Sequence, residues 1–184
     1  LPEGWTQERL GFSDATYHYD QYKNDVEEAL VNYFGRSAVK RGNKALGVHE
    51  TNYHIEADVA AFFEHRRYHS DGTYLEGVEL RTDKESRSVI NWPEQHYKNG
   101  VNKNEQTGTR FKSVVRVLKA LSNEMTEQGV RAGDIPGFLI ECLVWNVPNG
   151  NFQNDSYRAD VRSALAFLFN NTRTNEDCKG WGEV

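Results

Sequence analysis

Residues Val101 to Met125 read "VNKNEQTGTRFKSVVRVLKALSNEM" and contain the clearest helical pattern of the sequence. Its apolar residues recur at i, i+3, i+4 and i+7, which is the spacing of an amphipathic helix with one face in a core. The residues of this face are Phe111, Val114, Val115, Leu118, Leu121 and Met125. Three cations, Lys112, Arg116 and Lys119, follow another ridge of the same helix. The plainest interpretation of such a ridge is a solvated face.

The bulk composition limits which kinds of protein the chain can be. It has 184 residues, 38% of them hydrophobic and 27% charged, as expected for a globular protein with one core or two small ones. Its net charge of -5 argues against coating nucleic acid or an anionic membrane through bulk electrostatics, so any anion site must be local. The two cysteines, Cys142 and Cys178, predict no disulfide framework and favour a reducing cytoplasm. No apolar run reaches the length of a membrane span.

The first hundred residues carry the signals of one helix followed by strands. The helix is predicted from about Asp20 to a stop at Gly35. Its inward residues are predicted to be Tyr22, Val26, Leu30, Tyr33 and Phe34. The runs "SAVKR" and "ALGVHE" flank the turn Gly42-Asn43 and predict a β-hairpin. The run "TYLEGVELRTDKESRSVINWP" predicts a second hairpin with its polar tip at residues 82–87.

Between these hairpins, residues 53–68, "YHIEADVAAFFEHRRY", alternate for long enough to predict one extended strand. The apolar side consists of Tyr53, Ile55, Ala57, Val59, Ala61 and Phe63. Asp58 lies in mid-strand on the polar side with Glu56. A carboxylate on a rigid strand suits a divalent-metal site for phosphoryl transfer, but the wet face of an antiparallel strand explains it as well. His65 and His69 are spaced i, i+4 where the strand runs into a loop, which favours surface histidines over a zinc site.

Helical periodicity begins at about Thr107 and continues up to the tail "TRTNEDCKGWGEV", which is predicted to be loose. Pro136 and Pro148 bracket a helix in "PGFLIECLVWNVP", and "DSYRADVRSALAFLFNN" predicts another from Asp155. The segment "WPEQHYKNG" is predicted to be a loop, and "NKALG" and "HYKNGVNKN" are turn-like segments of a kind that can bind phosphate. The sequence thus predicts an α+β chain with a sheet domain at residues 1–100 and a helical domain at residues 101–184.

The order of these features resembles that of the cGAS/DncV-like nucleotidyltransferases, or CD-NTases, which are related to cyclic GMP-AMP synthase and oligoadenylate synthase. The resemblance spans about residues 30–168 and is carried by "ADV" at 57–59, "FKSVVRVLK" at 111–119 and "IPGFLIECLVWNVP" at 135–148. It implies an incomplete palm-like mixed sheet followed by a helical-bundle domain. It also implies an enzyme that joins nucleoside triphosphates into cyclic or linear oligonucleotide second messengers, with Mg²⁺ or Mn²⁺, in cytoplasmic anti-phage defence of the CBASS type.

The resemblance assigns roles to five residues. Asp58 resembles the family's third metal-binding carboxylate, and so carries both the catalytic and the metal-binding assignment. Arg116 and Lys119 resemble the helix cations that hold a triphosphate, with Lys112 one turn earlier as a further candidate. Phe138 resembles the aromatic residue on which a base stacks, an interaction that tolerates every base.

The sequence departs from the family at two places. The GS motif and the DxD pair of aspartates do not occur in it, and Gly137 stands where many relatives have serine. Because the chain begins with Leu1 and its single methionine is Met125, we expect it to be part of a longer protein. By itself it is expected to bind triphosphates weakly, to turn none over, and to self-associate through an exposed sheet edge.

Two other interpretations remain open at this point. One is a non-catalytic module that binds nucleotides or RNA at the same residues. The other is an interaction domain in which Lys112, Arg116 and Lys119 are merely solvated. The nucleobases, the linkage and the size of the product are not predicted.

Overall fold

A computed structural model of the chain describes residues 3–50, 55–130, 135–174 and 176–182. The chain divides into two units, Leu1–Glu94 and Gln95–Val184. Strands and one long helix form the first unit, and helices form the second, so the predicted α+β class is confirmed. The division into domains at residues 100 and 101 stays a prediction.

The first long element is helix α1, Tyr19–Phe34. Gly35 ends it as predicted, with φ at 85° and its N–H donating to the Val31 carbonyl at 2.8 Å. Glycine alone adopts this backbone region without steric cost. The inward prediction is wrong for Tyr33, which is 82% exposed and packs its ring edge-on against Phe34 in the last turn.

Two three-stranded antiparallel sheets complete the first unit, in place of the single mixed sheet that was expected. The strands of the first sheet, in spatial order, are β1 (Val39–Arg41), β2 (Leu46–Val48) and β3 (Ala57–Val59). The strands of the second are β4 (Phe63–Tyr68), β5 (Tyr74–Arg81) and β6 (Ser88–Asn91). The pairs β1–β2 and β5–β6 confirm both predicted hairpins.

The alternating run at residues 53–68 is therefore not one strand but is divided between the two sheets. The chain leaves β3 after Val59 and enters β4 at Phe63, with Ala61 buried between them. Ile55 and Ala57 are exposed although the pattern predicted them inward, and Tyr53 lies outside the described residues. No glycine, proline or asparagine marks the break, so the period of two continues through it and hides it.

Buried Lys23 joins α1 to the tips of both hairpins. Its Nζ donates to Asp83 Oδ1 at 2.7 Å and to the carbonyls of Gly42 and Asn43 at 3.3 Å each. Arg41 Nε donates to the other oxygen of Asp83 at 2.7 Å. An ammonium group that is only 1% exposed requires such a set of acceptors, because burying it unpaired costs several kcal/mol. We call these residues the Lys23 cluster.

The second unit contains the helices α2 (Pro93–Gln106), α3 (Arg110–Glu127), α4 (Gly137–Trp145) and α5 (Tyr157–Asn171). The segment predicted as a loop is α2, which starts with Pro93 because proline suits the first position of a helix. The stretch at residues 101–125 is consequently divided between two helices. They are separated where Gly108 and Thr109 take positive φ angles of 57° and 68°.

The core of the second unit confirms most of the predicted apolar face of α3. Phe111, Val114, Val115, Leu118, Ile140, Val144, Val147, Phe152 and Ala164 form one buried cluster. Leu121 is 43% exposed, contrary to the prediction, and Ser122 is buried instead. Ser122 follows Leu118 by four residues and so continues the centre of the buried face, whereas Leu121 lies at its margin.

Candidate functional site

Asp58 is the middle residue of β3, as predicted, and its side chain is exposed. Its register partner on β2 is Gly47, where an added Cβ would lie 3.8 Å from Asp58 Oδ1. In the part of the chain that the structure describes, β3 pairs with β2 and with no second strand. The position is compatible with a metal ligand and equally with a solvated carboxylate.

The described residues do not form a metal centre by themselves. No group of three or more His, Cys, Asp or Glu side chains that could hold an ion occurs among them. Glu56, which shares the predicted polar face with Asp58, has its carboxylate 3.9 Å from His49 Nδ1. One carboxylate is too few for an ion that prefers six or more oxygen ligands. Asp58 could therefore supply only one ligand of such an ion.

His65 and His69 do not form a pair. His65 lies on β4 with Nδ1 2.9 Å from Glu79 Oε2, and its ring stands edge-on to Trp92 at 5.5 Å. His69 follows the end of the strand and is exposed. The i, i+4 spacing brings two side chains together on a helix but not on a strand, where residues four apart are more than about 10 Å apart.

The three cations of α3 have different surroundings. Lys112 and Arg116 are exposed, and their side chains make no hydrogen bond or ion pair with residues 3–50, 55–130, 135–174 or 176–182. Lys119 is half-buried, and its Nζ donates to Glu141 Oε2 at 2.8 Å. With respect to the described residues, the positive charge of Arg116 is therefore unpaired and that of Lys119 is paired with a carboxylate.

Phe138 and His96 lie next to this ion pair. The ring centroid of Phe138, in the first turn of α4, is 5.0 Å from that of His96 on α2. His96 Nε2 is 3.5 Å from Glu141 Oε1, while its Nδ1 is buried without a hydrogen-bond partner among the described residues. Phe138 remains 60% exposed and is accessible to a planar ligand. We call Arg116, Lys119, Glu141, Phe138 and His96 the α3–α4 site.

Gly137 packs against the aliphatic stem of Lys119. A Cβ added there would lie 3.5 Å from Lys119 Cε, which is an ordinary van der Waals distance. A serine would therefore fit at this position, so crowding does not explain the glycine. Its lack of a side chain leaves the start of α4 without a hydroxyl next to Lys119.

Two members of the site, Glu141 and His96, are absent from the sequence-based prediction. Glu141 had a signal, because it is the only charged residue in the apolar helix "GFLIECLVW". His96 had none, because its segment was predicted to be a loop. The charge of Glu141 also affects its neighbour Cys142: burial, and then Glu141, raise the pKa of that thiol above its ordinary value. Cys142 is therefore a poor nucleophile.

Comparison with known proteins matches this arrangement to one family. The sequence model of the cGAS/DncV-like nucleotidyltransferase C-terminal helical domain matches residues 98–184. Two proteins named cyclic dipyrimidine nucleotide synthase CdnE align with the whole chain. That of Cecembia lonarensis is 42% identical, and the chain spans 63% of its length. That of Legionella pneumophila is 41% identical, and the chain spans 62% of its length.

Two solved structures share this fold. The Elizabethkingia meningoseptica CdnE cyclic dinucleotide synthase with GTP and Apcpp has a TM-score of 0.78 at 34% identity, over 88% of this chain and 59% of that one. The Rhodothermus marinus CdnE c-UMP-AMP synthase with Apcpp and Upnpp has a TM-score of 0.81 at 32% identity, over 97% of this chain and 63% of that one. The chain belongs to the cGAS/DncV-like nucleotidyltransferases. Within that family, these four relatives are cyclic nucleotide synthases of the CdnE kind.

No helix among the described residues is both long enough and apolar enough to cross a membrane.

Proposed function

We propose that this chain is part of a CdnE-like synthase that joins nucleoside triphosphates into cyclic or linear oligonucleotide second messengers. The observation that carries the proposal is the α3–α4 site, where the Lys119–Glu141 ion pair lies beside the exposed ring of Phe138, with Arg116 one turn earlier on the ridge of Lys119. The structural relatives support it, since they are described with GTP, Apcpp and Upnpp. Because the chain spans less than two thirds of the relatives named above, the activity of the whole protein is part of the proposal.

In this proposal the α3–α4 site binds one triphosphate. Arg116 and Lys119 donate charge-assisted hydrogen bonds to phosphate oxygens, and Lys112 extends the positive ridge. Phe138 provides a surface on which a base stacks, which gives affinity without selecting the base. This accounts for a local cation ridge on a chain whose net charge is -5.

The remaining assignments are proposals on the strength of the family. Asp58 is proposed as one carboxylate ligand of Mg²⁺ or Mn²⁺, although the described residues supply no further group of ligands around it. A role in anti-phage defence of the CBASS type and a cytoplasmic location are proposed too. The two cysteines, both free thiols, are compatible with a reducing compartment.

Titration of the chain with ATP, GTP, UTP and CTP by calorimetry tests the binding site. Replacing Arg116 by Ala should weaken the tightest of these complexes by about 1.5–3 kcal/mol, the range for a hydrogen bond to a charged group. Arg162→Ala, which removes an arginine from α5, is the matched control and should leave binding unchanged. Equal losses in both variants would show that the chain attracts nucleotides only by diffuse charge.

A second candidate function is a non-catalytic nucleotide-binding module, and the lone carboxylate of Asp58 favours it for the chain by itself. Binding needs only the α3–α4 site, whereas metal-dependent transfer needs a complete metal centre. Incubation with radiolabelled ATP and GTP plus Mg²⁺ or Mn²⁺ should give no product. A cyclic or linear oligonucleotide made by the purified chain would refute that expectation.

A further inference from the structure

Glu141 places a negative charge inside the site proposed for a polyanion. Its carboxylate is 24% exposed, and each oxygen has a different neighbour: Oε2 accepts from Lys119 Nζ at 2.8 Å, and Oε1 lies 3.5 Å from His96 Nε2. A carboxylate at this position competes with phosphate oxygens for the ammonium group of Lys119. Its presence therefore requires an explanation in terms of the nucleotide-free protein.

We propose that Glu141 is a positioning residue that occupies the ammonium group of Lys119 until a triphosphate takes its place. The inference rests on the proposed function of the α3–α4 site. Lys119 would otherwise be a flexible side chain that loses rotamer entropy on binding. Glu141 instead holds its ammonium over α4, while the stem packs at Gly137.

Because Lys119 must exchange Glu141 for a phosphate, it contributes less to triphosphate affinity than Arg116 does. Lys119 must give up a carboxylate to gain a phosphate, so only the difference between two ion pairs adds to affinity. Arg116 has no such partner among the described residues and adds its full interaction. The pair also sets a threshold, because a ligand with little negative charge cannot displace Glu141 from Lys119.

His96 completes the arrangement on the opposite side of Glu141. When Lys119 turns to a phosphate, the half-buried carboxylate still has His96 Nε2 within reach, which limits the cost of losing its first partner. The same imidazole ring backs Phe138 at 5.0 Å. His96 thus holds Glu141 and the stacking surface in place through the exchange.

A double-mutant cycle with Glu141→Gln and Lys119→Ala tests the proposal. Inorganic triphosphate is the first probe, because it reports the phosphate contacts without base stacking, and ATP is the second. Glutamine keeps the size of the side chain and removes its charge. Glu141→Gln should therefore raise affinity about threefold to tenfold when Lys119 is present, and leave it unchanged in the Lys119→Ala background. Glu127→Gln, at the exposed end of α3, removes one charge elsewhere and should have no effect.

Three results would contradict either the exchange at Glu141 or the proposed function of the α3–α4 site. If Glu141→Gln raised the affinity equally with and without Lys119, Glu141 would simply repel the phosphate. If Glu141→Gln left the affinity unchanged or lowered it, Glu141 would be only a structural partner of Lys119. Either result would overturn the proposed exchange. The proposed function would survive either result, provided that Arg116→Ala still weakens binding. If the unaltered chain bound neither probe, the proposed function itself would fail. Melting curves of each variant confirm that the fold is intact.

Discussion

Phe138 is the residue for which a binding role and a structural role are easiest to separate. Its ring is largely exposed and touches His96, so removing it leaves no cavity in the core. Phe138→Ala should weaken ATP and GTP binding by about 1–3 kcal/mol, the usual value for stacking one base. It should leave the binding of inorganic triphosphate unchanged. Phe138→Trp, which keeps a stacking surface, should restore nucleotide binding.

If Phe138→Ala weakened inorganic triphosphate as strongly as ATP, the ring would be supporting the phosphate contacts rather than stacking a base. Calorimetric titration of both ligands against the three proteins distinguishes these outcomes.

Asp160 makes the folding stability of the second unit depend on pH. Its carboxylate is fully buried, which opposes ionisation, but Arg110 Nη1 at 2.5 Å and the backbone and side-chain N–H groups of Asn154 at 3.0 Å outweigh burial and lower its pKa. A carboxylate with a lowered folded-state pKa stabilises the protein above its unfolded pKa, about 3.9 for Asp. That stability is lost as the pH falls through the folded-state pKa.

Asp160→Asn should accordingly lower the free energy of unfolding by about 1.5–3 kcal/mol at pH 7. The difference from the unaltered chain should shrink below about pH 4, where Asp160 takes up a proton in the unfolded chain before it does so in the folded one. Urea unfolding at a series of pH values measures it, with Asp155→Asn as the exposed control. A difference that stayed constant down to about pH 3 would contradict the assignment of the pH dependence to Asp160.

The cations and Phe138 of the α3–α4 site could be predicted from the sequence, but the partners of these side chains could not. The ridge of Arg116 and Lys119 is visible from helical spacing alone. The pairing of Lys119 with Glu141, 22 residues later, depends on how α3 packs against α4, which no local pattern contains. The sequence could therefore predict where positive charge lies but not which cation is free.

The junction between α2 and α3 shows how a backbone angle sets the ends of two elements. Thr109 has φ at 68°, a region that costs a β-branched residue roughly 1–2 kcal/mol. Thr109→Gly should relieve this strain and raise the melting temperature by a few degrees. Gly108→Ala, with φ at 57°, should lower it. Differential scanning calorimetry of the pair checks both signs, and destabilisation by Thr109→Gly would refute the strain.

Element boundaries were predicted well where a residue type enforces them and poorly where none does. Gly35 ends α1, and Pro136 immediately precedes α4, both as expected. The break between β3 and β4 was missed because its residues are apolar and keep the alternation. Helix α2 was missed because its asparagines and Gly100 favour turns, whereas contacts from distant residues, such as the hydrogen bond from Trp145 Nε1 to the Asn99 carbonyl, stabilise it.

For the whole molecule, the edge of the first sheet predicts association between copies. Ile55, just before β3, is 83% exposed, and β3 pairs on one side only within the described residues. Unpaired strand edges with apolar neighbours recruit other strands. We expect the mass measured by light scattering to rise with concentration, and Ile55→Lys to suppress the rise. A monomer at every concentration would contradict this expectation.

The Lys23 cluster also has a consequence for the order in which the first unit forms. Lys23 meets partners 19, 20 and 60 residues away, so the cluster can close only after α1 and both hairpins have taken shape. We expect the cluster to close after the transition state, because a buried ammonium group gains its full set of acceptors only when all of them are in place. Replacing Lys23 by Met should then leave the refolding rate nearly unchanged and speed unfolding. Buried Lys23 therefore determines the unfolding rate of the first unit, and so its kinetic stability, rather than its folding rate.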